Sequence, residues 1–158
     1  MKRPPKWPVF IGTGFGAGFW PWGPGTAGAV VATAIWFCLH IWVQGGWLTA
    51  VVGSLIVVFT VLGTWATSRL EPYWGEDPQR VVVDEMVGVW IPLLLAQGWP
   101  SALVSLVLFR FFDIVKPLGI RSLDRRHGAF WVMADDILAG IYSALVLGIV
   151  LLATGWEG

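Results

Sequence analysis

Long apolar stretches, separated by short polar or glycine-rich connections, dominate the chain. The stretch from Trp47 to Thr67 contains no charged residue and is long enough for a membrane-spanning helix, which needs about 20 apolar residues. Four other stretches predict further crossings, and the middle two need polar residues at their ends to reach full length: Ala27 to Val43, Met86 to Gln97, Ser101 to Val115 and Ile137 to Thr154. The pattern predicts an all-α membrane bundle of about five helices, preceded by a glycine-rich interfacial segment.

Composition supports a membrane protein and excludes several other classes. The 158 residues are 56% hydrophobic and 13% charged, with a mean hydropathy of +0.72, whereas soluble domains are about 25% charged. Ten basic residues balance ten acidic ones, so no basic excess indicates a nucleic acid partner. The single cysteine, Cys38, excludes an internal disulfide and a thiolate metal cage. We expect one membrane-embedded domain over residues 1–158.

The basic residues predict the orientation of this bundle. All but Arg110, which lies within a predicted helix, precede the first helix or occupy the connections after the second and fourth: Lys2, Arg3, Lys6, Arg69, Arg80, Lys116, Arg121, Arg125 and Arg126. The other two connections, residues 44–46 and 97–100, contain none. Because cytoplasmic connections retain Lys and Arg, the N-terminus and the basic connections are predicted to face the cytoplasm.

Acidic residues cluster at the same predicted face. Nine of the ten fall between Glu71 and Asp136, and five of these share a similar depth near predicted helix ends: Asp84, Glu85, Asp113, Asp135 and Asp136. Ionisable groups at membrane depth are costly and indicate a functional site. Carboxylates are the ligands that Mg²⁺ takes in proteins, together with water and substrate phosphate. The five acids are therefore candidate metal ligands and catalytic residues.

Simpler interpretations of these residues remain open. Asp and Glu are favoured in the first turn of a helix, where we place Asp84, Glu85, Asp135 and Asp136. Arg110 and Asp113 are spaced to neutralise each other. Gly88 and Gly140 share helix faces with the acids, which suits either close helix packing or space for a ligand.

Candidate phosphate-binding residues lie at the same level. Arg110, Lys116, Arg125 and Arg126 have the charge that a phosphate needs, although membrane anchoring also explains the last pair. The glycine-rich segment 9–28 is either an interfacial loop anchored by aromatic residues or a backbone cradle for phosphate. In the cradle, Gly14, Gly16 and Thr26 are the candidate contacts. His127 is a phosphate contact, a residue that transfers a proton, or a loop residue without a role.

Four ordered motifs resemble the phosphatidylglycerophosphatase A family of bacterial membrane lipid phosphatases. They are the glycine-rich runs 14–18 and 24–28, Val83-Asp84-Glu85 with Gly88, Phe109 to Asp113 with Lys116-Pro117, and Asp135-Asp136 with Ala139-Gly140. The resemblance implies Mg²⁺-dependent hydrolysis of phosphatidylglycerophosphate to phosphatidylglycerol. It also implies that the five acids form the site, with Asp124 as a possible sixth.

We therefore expect a Mg²⁺-dependent lipid phosphatase in the bacterial inner membrane, with its site at the cytoplasmic face and a phospholipid as its partner. Two alternatives belong to other classes. A small divalent-cation transporter would place its acids near the midplane or in series along a path. A non-catalytic lipid-binding protein would tolerate loss of the acids. The oligomeric state is not predicted.

Overall fold

The computed structural model describes residues 2–117 and 119–158. These residues form helices and the connections between them, and no β-strand occurs among them. A 3₁₀ turn at Ala17–Phe19 follows the first of seven α-helices. The helices are α1 (Lys6–Gly12), α2 (Pro24–Trp42), α3 (Gly46–Trp74), α4 (Val83–Leu93), α5 (Trp99–Val115), α6 (Ile120–Asp124) and α7 (Ala129–Thr154). The predicted all-α class is confirmed.

Three of these helices, α2, α3 and α7, are long and apolar enough to cross a membrane. The other two predicted crossings correspond to α4 and α5, which have 11 and 17 residues. At 1.5 Å per residue α4 is only about 16 Å long, roughly half the hydrocarbon thickness. Helix length therefore does not confirm the predicted count of about five membrane-spanning helices.

Two long helices extend beyond the apolar stretches that predicted them. Helix α3 continues past Thr67 to Trp74, and α7 begins at Ala129 rather than at Ile137. An apolar run marks only the part of a helix that suits lipid, while backbone hydrogen bonding continues through polar residues. Asp135 and Asp136 consequently lie about two turns inside α7, and the prediction that they start a helix is wrong. The helix dipole does not explain them, although Asp84 and Glu85 do lie in the first turn of α4.

Helix α4 is the centre of the bundle. It packs against α2, α3, α5 and α7, and nearly all of its residues are buried. Its Trp90 is 1% exposed and donates a hydrogen bond from Nε1 to the Ala32 carbonyl oxygen at 3.0 Å. Outward-facing residues such as Val107 and Ile149 are apolar and exposed, as expected for surfaces that contact lipid.

The glycine-rich segment packs against the residues that begin α4. The Val82 N–H donates to the Gly12 carbonyl oxygen at 2.8 Å. A methyl group on Gly28 would lie 2.7 Å from the Val82 side chain, and one on Gly14 would lie 2.8 Å from the Met86 sulfur. These glycines thus permit close packing. The interfacial-loop interpretation fits the exposure of the segment's aromatic residues, which are Phe10, Phe15, Phe19, Trp20 and Trp22.

The connections of the bundle separate into two ends. Helices α4 and α7 begin, and α5 ends, at one end, where the acids lie. At the other end, Gln44 and Gln97 line one pocket together with His40. The connections without basic residues therefore share the end that is remote from the acids.

Candidate active site

A cavity of about 370 Å³ opens where α4 and α7 begin and α5 ends. All five predicted acids line it: Asp84, Glu85, Asp113, Asp135 and Asp136. The α3–α4 connection contributes Glu76 and Asp77, and the end of α5 and α6 contribute Lys116 and Asp124. The connection before α7 and the start of α7 complete the lining with Arg126, His127, Gly128, Trp131 and Val132. The structure thus brings the predicted acids together in one site.

Asp84, Glu85 and Asp136 form the tightest group, which we call the acid triad. One carboxylate oxygen from each lies within 4.8 Å of the others, and Asp84 and Asp136 are only 7% and 2% exposed. Asp84 Oδ1 and Glu85 Oε2 are buried without a hydrogen-bond partner among the described residues, and the triad forms no ion pair there. Buried carboxylates need compensating charge. A divalent cation with oxygen ligands fits both the spacing and the unpaired oxygens.

Two glycines bring the helices of the triad together. A methyl group on Gly140 of α7 would overlap the carbonyl oxygen of Gly88 of α4. A methyl group on Gly88 would overlap the Phe109 ring and approach the Asp136 carbonyl oxygen to 2.8 Å. Both glycines lie about one turn beyond the acids. Of the two roles considered for them, the structure supports close helix packing.

Asp113 and Asp135 differ from the triad because basic side chains neutralise them. Arg110 forms an ion pair with Asp113, as their spacing suggested. The Lys116 ammonium lies 3.0 Å from Asp135 Oδ2 and 3.7 Å from Asp113 Oδ1. Burial lowers the pKa of Lys116, but the carboxylates of Asp135 and Asp113 outweigh this effect and raise that pKa above its ordinary value. Lys116 is therefore an ammonium ion at neutral pH.

The rim of the cavity contains residues that the sequence did not single out. The Glu76 carboxylate accepts a hydrogen bond from His127 Nδ1 at 2.6 Å, which joins the α3–α4 and α6–α7 connections. The Arg126 guanidinium lies 4.6 Å from the centre of the Trp131 ring, in a cation–π contact. Glu76 and Asp77 belong to the acidic stretch noticed in the sequence. Nothing in the sequence distinguished Trp131 from the other aromatic residues, which are common throughout the chain.

The predicted phosphate-binding residues divide between the cavity and its surroundings. Lys116 and Arg126 line the cavity. Arg110 is not among the described lining residues. It lies near Gly25, where a methyl group would be 3.3 Å from Arg110 Nη1. The other four are not among the described lining residues: Arg125, Gly14, Gly16 and Thr26. His127 does line the cavity, and Asp124 lines it with its carboxylate 3.5 Å from Lys116 Nζ.

Known proteins resemble this chain along most of its length. The sequence profile of the phosphatidylglycerophosphatase A family matches residues 10–151. A Bacteroides thetaiotaomicron protein with the provisional name phosphatidylinositol-3-phosphatase is 50% identical over 153 residues, which are 94% of this chain and 96% of that protein.

Two further relatives are named phosphatidylglycerophosphatase A. The Escherichia coli protein is 33% identical and the match covers 93% of this chain and 84% of its own length. The Haemophilus influenzae protein is 34% identical over 87% of this chain and 84% of its own length. No solved structure matches the chain. The profile and these relatives confirm the motif resemblance and the expectation of a phosphatase: the chain belongs to the phosphatidylglycerophosphatase A family.

Proposed function

We propose that this protein is a Mg²⁺-dependent phosphatase that removes the terminal phosphate of phosphatidylglycerophosphate to give phosphatidylglycerol. The observation that carries the proposal is the acid triad, which lines a cavity without any ion pair among the described residues. Family membership supplies the reaction class. The triad supplies what such a reaction needs at a phosphate, a place for a divalent cation. We propose a single catalytic domain over residues 1–158.

The triad residues Asp84, Glu85 and Asp136 are the proposed ligands of the cation. Their oxygen-only chemistry suits Mg²⁺, which completes its coordination with water and substrate phosphate. When bound, Mg²⁺ polarises the phosphoryl group and favours ionisation of an attacking water. In this proposal the other two acids of the predicted set, Asp113 and Asp135, hold the basic side chains of Arg110 and Lys116 in place.

Basic residues at the cavity are proposed to bind the substrate phosphate. Arg126 at the rim has the planar donor geometry that phosphate recognition uses, and its guanidinium lies over the Trp131 ring. Lys116 contributes positive charge from its position among Asp113, Asp124 and Asp135. Together they offset the negative charge that the phosphate brings to an acidic cavity.

Phosphatidylinositol 3-phosphate is a second candidate substrate. The Bacteroides thetaiotaomicron relative is 50% identical, and its name refers to phosphatidylinositol 3-phosphate. Both lipids present a phosphate monoester on a polyol headgroup, and they differ mainly in the bulk of that headgroup. The family profile and two relatives favour phosphatidylglycerophosphate.

Phosphate release from the purified protein in detergent tests the proposal. We expect rapid release from phosphatidylglycerophosphate with Mg²⁺, at least about tenfold faster than from phosphatidylinositol 3-phosphate, and almost none with EDTA. A reversed preference would assign the second substrate. Absence of metal-dependent release from either lipid would overturn the proposed function.

We further propose five membrane crossings, α2, α3, α4, α5 and α7, in the bacterial inner membrane with the cavity at the cytoplasmic face. The two basic-free connections share the end remote from the acids, and the basic ones lie at the cavity end. Helices α4 and α5 are short, but α4 is enclosed by its neighbours and needs no full-length apolar surface.

Single-cysteine labelling on intact spheroplasts checks this orientation. In a Cys38→Ser background, a membrane-impermeant maleimide is expected to label Gln44→Cys but not Gln79→Cys, since the latter belongs to the α3–α4 connection. Lysis should expose Gln79→Cys to the reagent. Labelling of Gln79→Cys before lysis would contradict a cytoplasmic site.

A further inference from the structure

Lys116 lies among carboxylates from three different helices. Its ammonium nitrogen is 3.0 Å from Asp135 of α7, 3.5 Å from Asp124 of α6 and 3.7 Å from Asp113 of α5. It also interacts electrostatically with Asp136 of the triad. One side-chain cation therefore occupies the centre of a second group of acids, next to the triad.

The backbone at Lys116 is unusual for this residue type. Lys116 follows the last residue of α5 in a left-handed conformation, with φ 52° and ψ 54°. Glycine or asparagine is usual at such a position, and a residue with a Cβ pays about 1 kcal/mol or more there. The surrounding ion pairs offset this cost, since they connect Lys116 to α6 and α7. A lysine is held in this conformation by its contacts with the acids.

The charges around the cavity leave room for one divalent cation. Arg110 neutralises Asp113, and Lys116 is shared by Asp113, Asp124 and Asp135. Of the five predicted acids, only the three of the triad lack a basic partner among the described residues. Among the same residues, Asp77 at the exposed rim of the cavity forms no ion pair either. In two-metal phosphoryl-transfer centres the second ion lies about 3.5–4 Å from the first and needs carboxylates of its own. Here three of the carboxylates that could bind it, those of Asp113, Asp124 and Asp135, already surround the Lys116 ammonium.

We propose that the site binds one divalent cation at Asp84, Glu85 and Asp136, and that the Lys116 ammonium takes the place of a second metal ion. This inference rests on the proposed function and specifies its metal content. The ammonium supplies fixed positive charge beside the substrate phosphate without requiring ligand exchange. Removing that charge frees the carboxylates of Asp113, Asp124 and Asp135 to bind a second ion.

Mn²⁺ binding to the purified full-length protein in detergent, without substrate, measures this directly. Free Mn²⁺ has a sharp electron paramagnetic resonance spectrum that bound Mn²⁺ loses, so a titration gives the number of sites. We expect one Mn²⁺ per chain in the wild type, with the spectrum of an isolated ion. Lys116→Met keeps most of the side-chain length without the charge and is expected to bind two, with the coupled spectrum of neighbouring ions. Lys116→Arg, the matched control, should bind one.

The outcomes separate this inference from the proposed function. Two Mn²⁺ ions in the wild type would overturn the inference and leave the phosphatase proposal intact, and this measurement needs no variant to fold. No Mn²⁺ bound to the wild type would overturn the proposed metal site and the inference with it. A folded Lys116→Met protein that still binds one ion would show that the ammonium does not replace a metal.

Discussion

A methyl group at Gly140 is expected to slow phosphate release by about a hundredfold, because misplacement of catalytic groups by about 1 Å costs that much. In Gly140→Ala the added carbon would overlap the carbonyl oxygen of Gly88, and backbone atoms cannot rotate away as a side chain can. Helices α4 and α7 must separate, which moves Asp84 and Glu85 away from Asp136. Overpacking of this kind also destabilises by about 1–3 kcal/mol, so a lower unfolding temperature should accompany the lost activity.

Helix α7 itself contains the matched control. Gly148 lies two turns further along, and a methyl group there would meet only the Leu95 side chain at 3.5 Å, an ordinary contact distance. Gly148→Ala should therefore retain activity within about twofold, with stability equal or slightly higher because alanine favours helix. If Gly140→Ala were as active as Gly148→Ala, close packing of α4 and α7 would not position the acids.

Removing one carboxylate of the triad is expected to abolish both metal binding and catalysis. For Asp84→Asn and Asp136→Asn we expect at least about a thousandfold slower phosphate release, since a catalytic metal contributes several kcal/mol to the barrier. Loss of one like charge should leave the metal-free protein no less stable than the wild type. The rise in unfolding temperature that Mn²⁺ gives the wild type should disappear, because that rise measures binding to the folded state.

Glu157 provides a control for the loss of an acidic residue. It is exposed and lies in the tail that follows α7, at the end remote from the cavity. Glu157→Gln should keep the wild-type rate and the wild-type thermal response to Mn²⁺. Full activity in both triad variants would support a site elsewhere in the chain and overturn the proposed role of the triad.

Hydrophobic pattern and motif spacing predicted much of this architecture, but not the true helix ends. The apolar run that begins at Ile137 located the lipid-facing part of α7 and missed the two turns before it. Those turns contain Asp135 and Asp136, so the sequence suggested a helix start where the structure has helix interior. The α4 stretch was identified as apolar and short, but its enclosure by α2, α3, α5 and α7 depends on tertiary packing, which no local pattern encodes.

The sequence also predicted five acids at one level without distinguishing among them. Their division into the triad and the acids around Lys116 depends on which side chains meet after the helices pack. The Arg110–Asp113 spacing did predict one of these pairs, because it lies within a single helix. The contacts of Lys116 with Asp124 and Asp135 join separate helices, so spacing along the chain gave no indication of them.

The 29 residues of α3 have a consequence for where the reaction takes place. A straight helix of that length measures about 44 Å, against about 30 Å for the hydrocarbon layer. In the proposed topology, the apolar stretch from Trp47 to Thr67 lies in the hydrocarbon layer. The last turns of α3, which lead to Glu76 and Asp77 at the cavity rim, would then extend into the layer of lipid headgroups. Under the proposed function, the lipid substrate would present its terminal monoester to the cavity while its acyl tails stay in their own leaflet. Turnover would then require only lateral diffusion and no extraction from the bilayer.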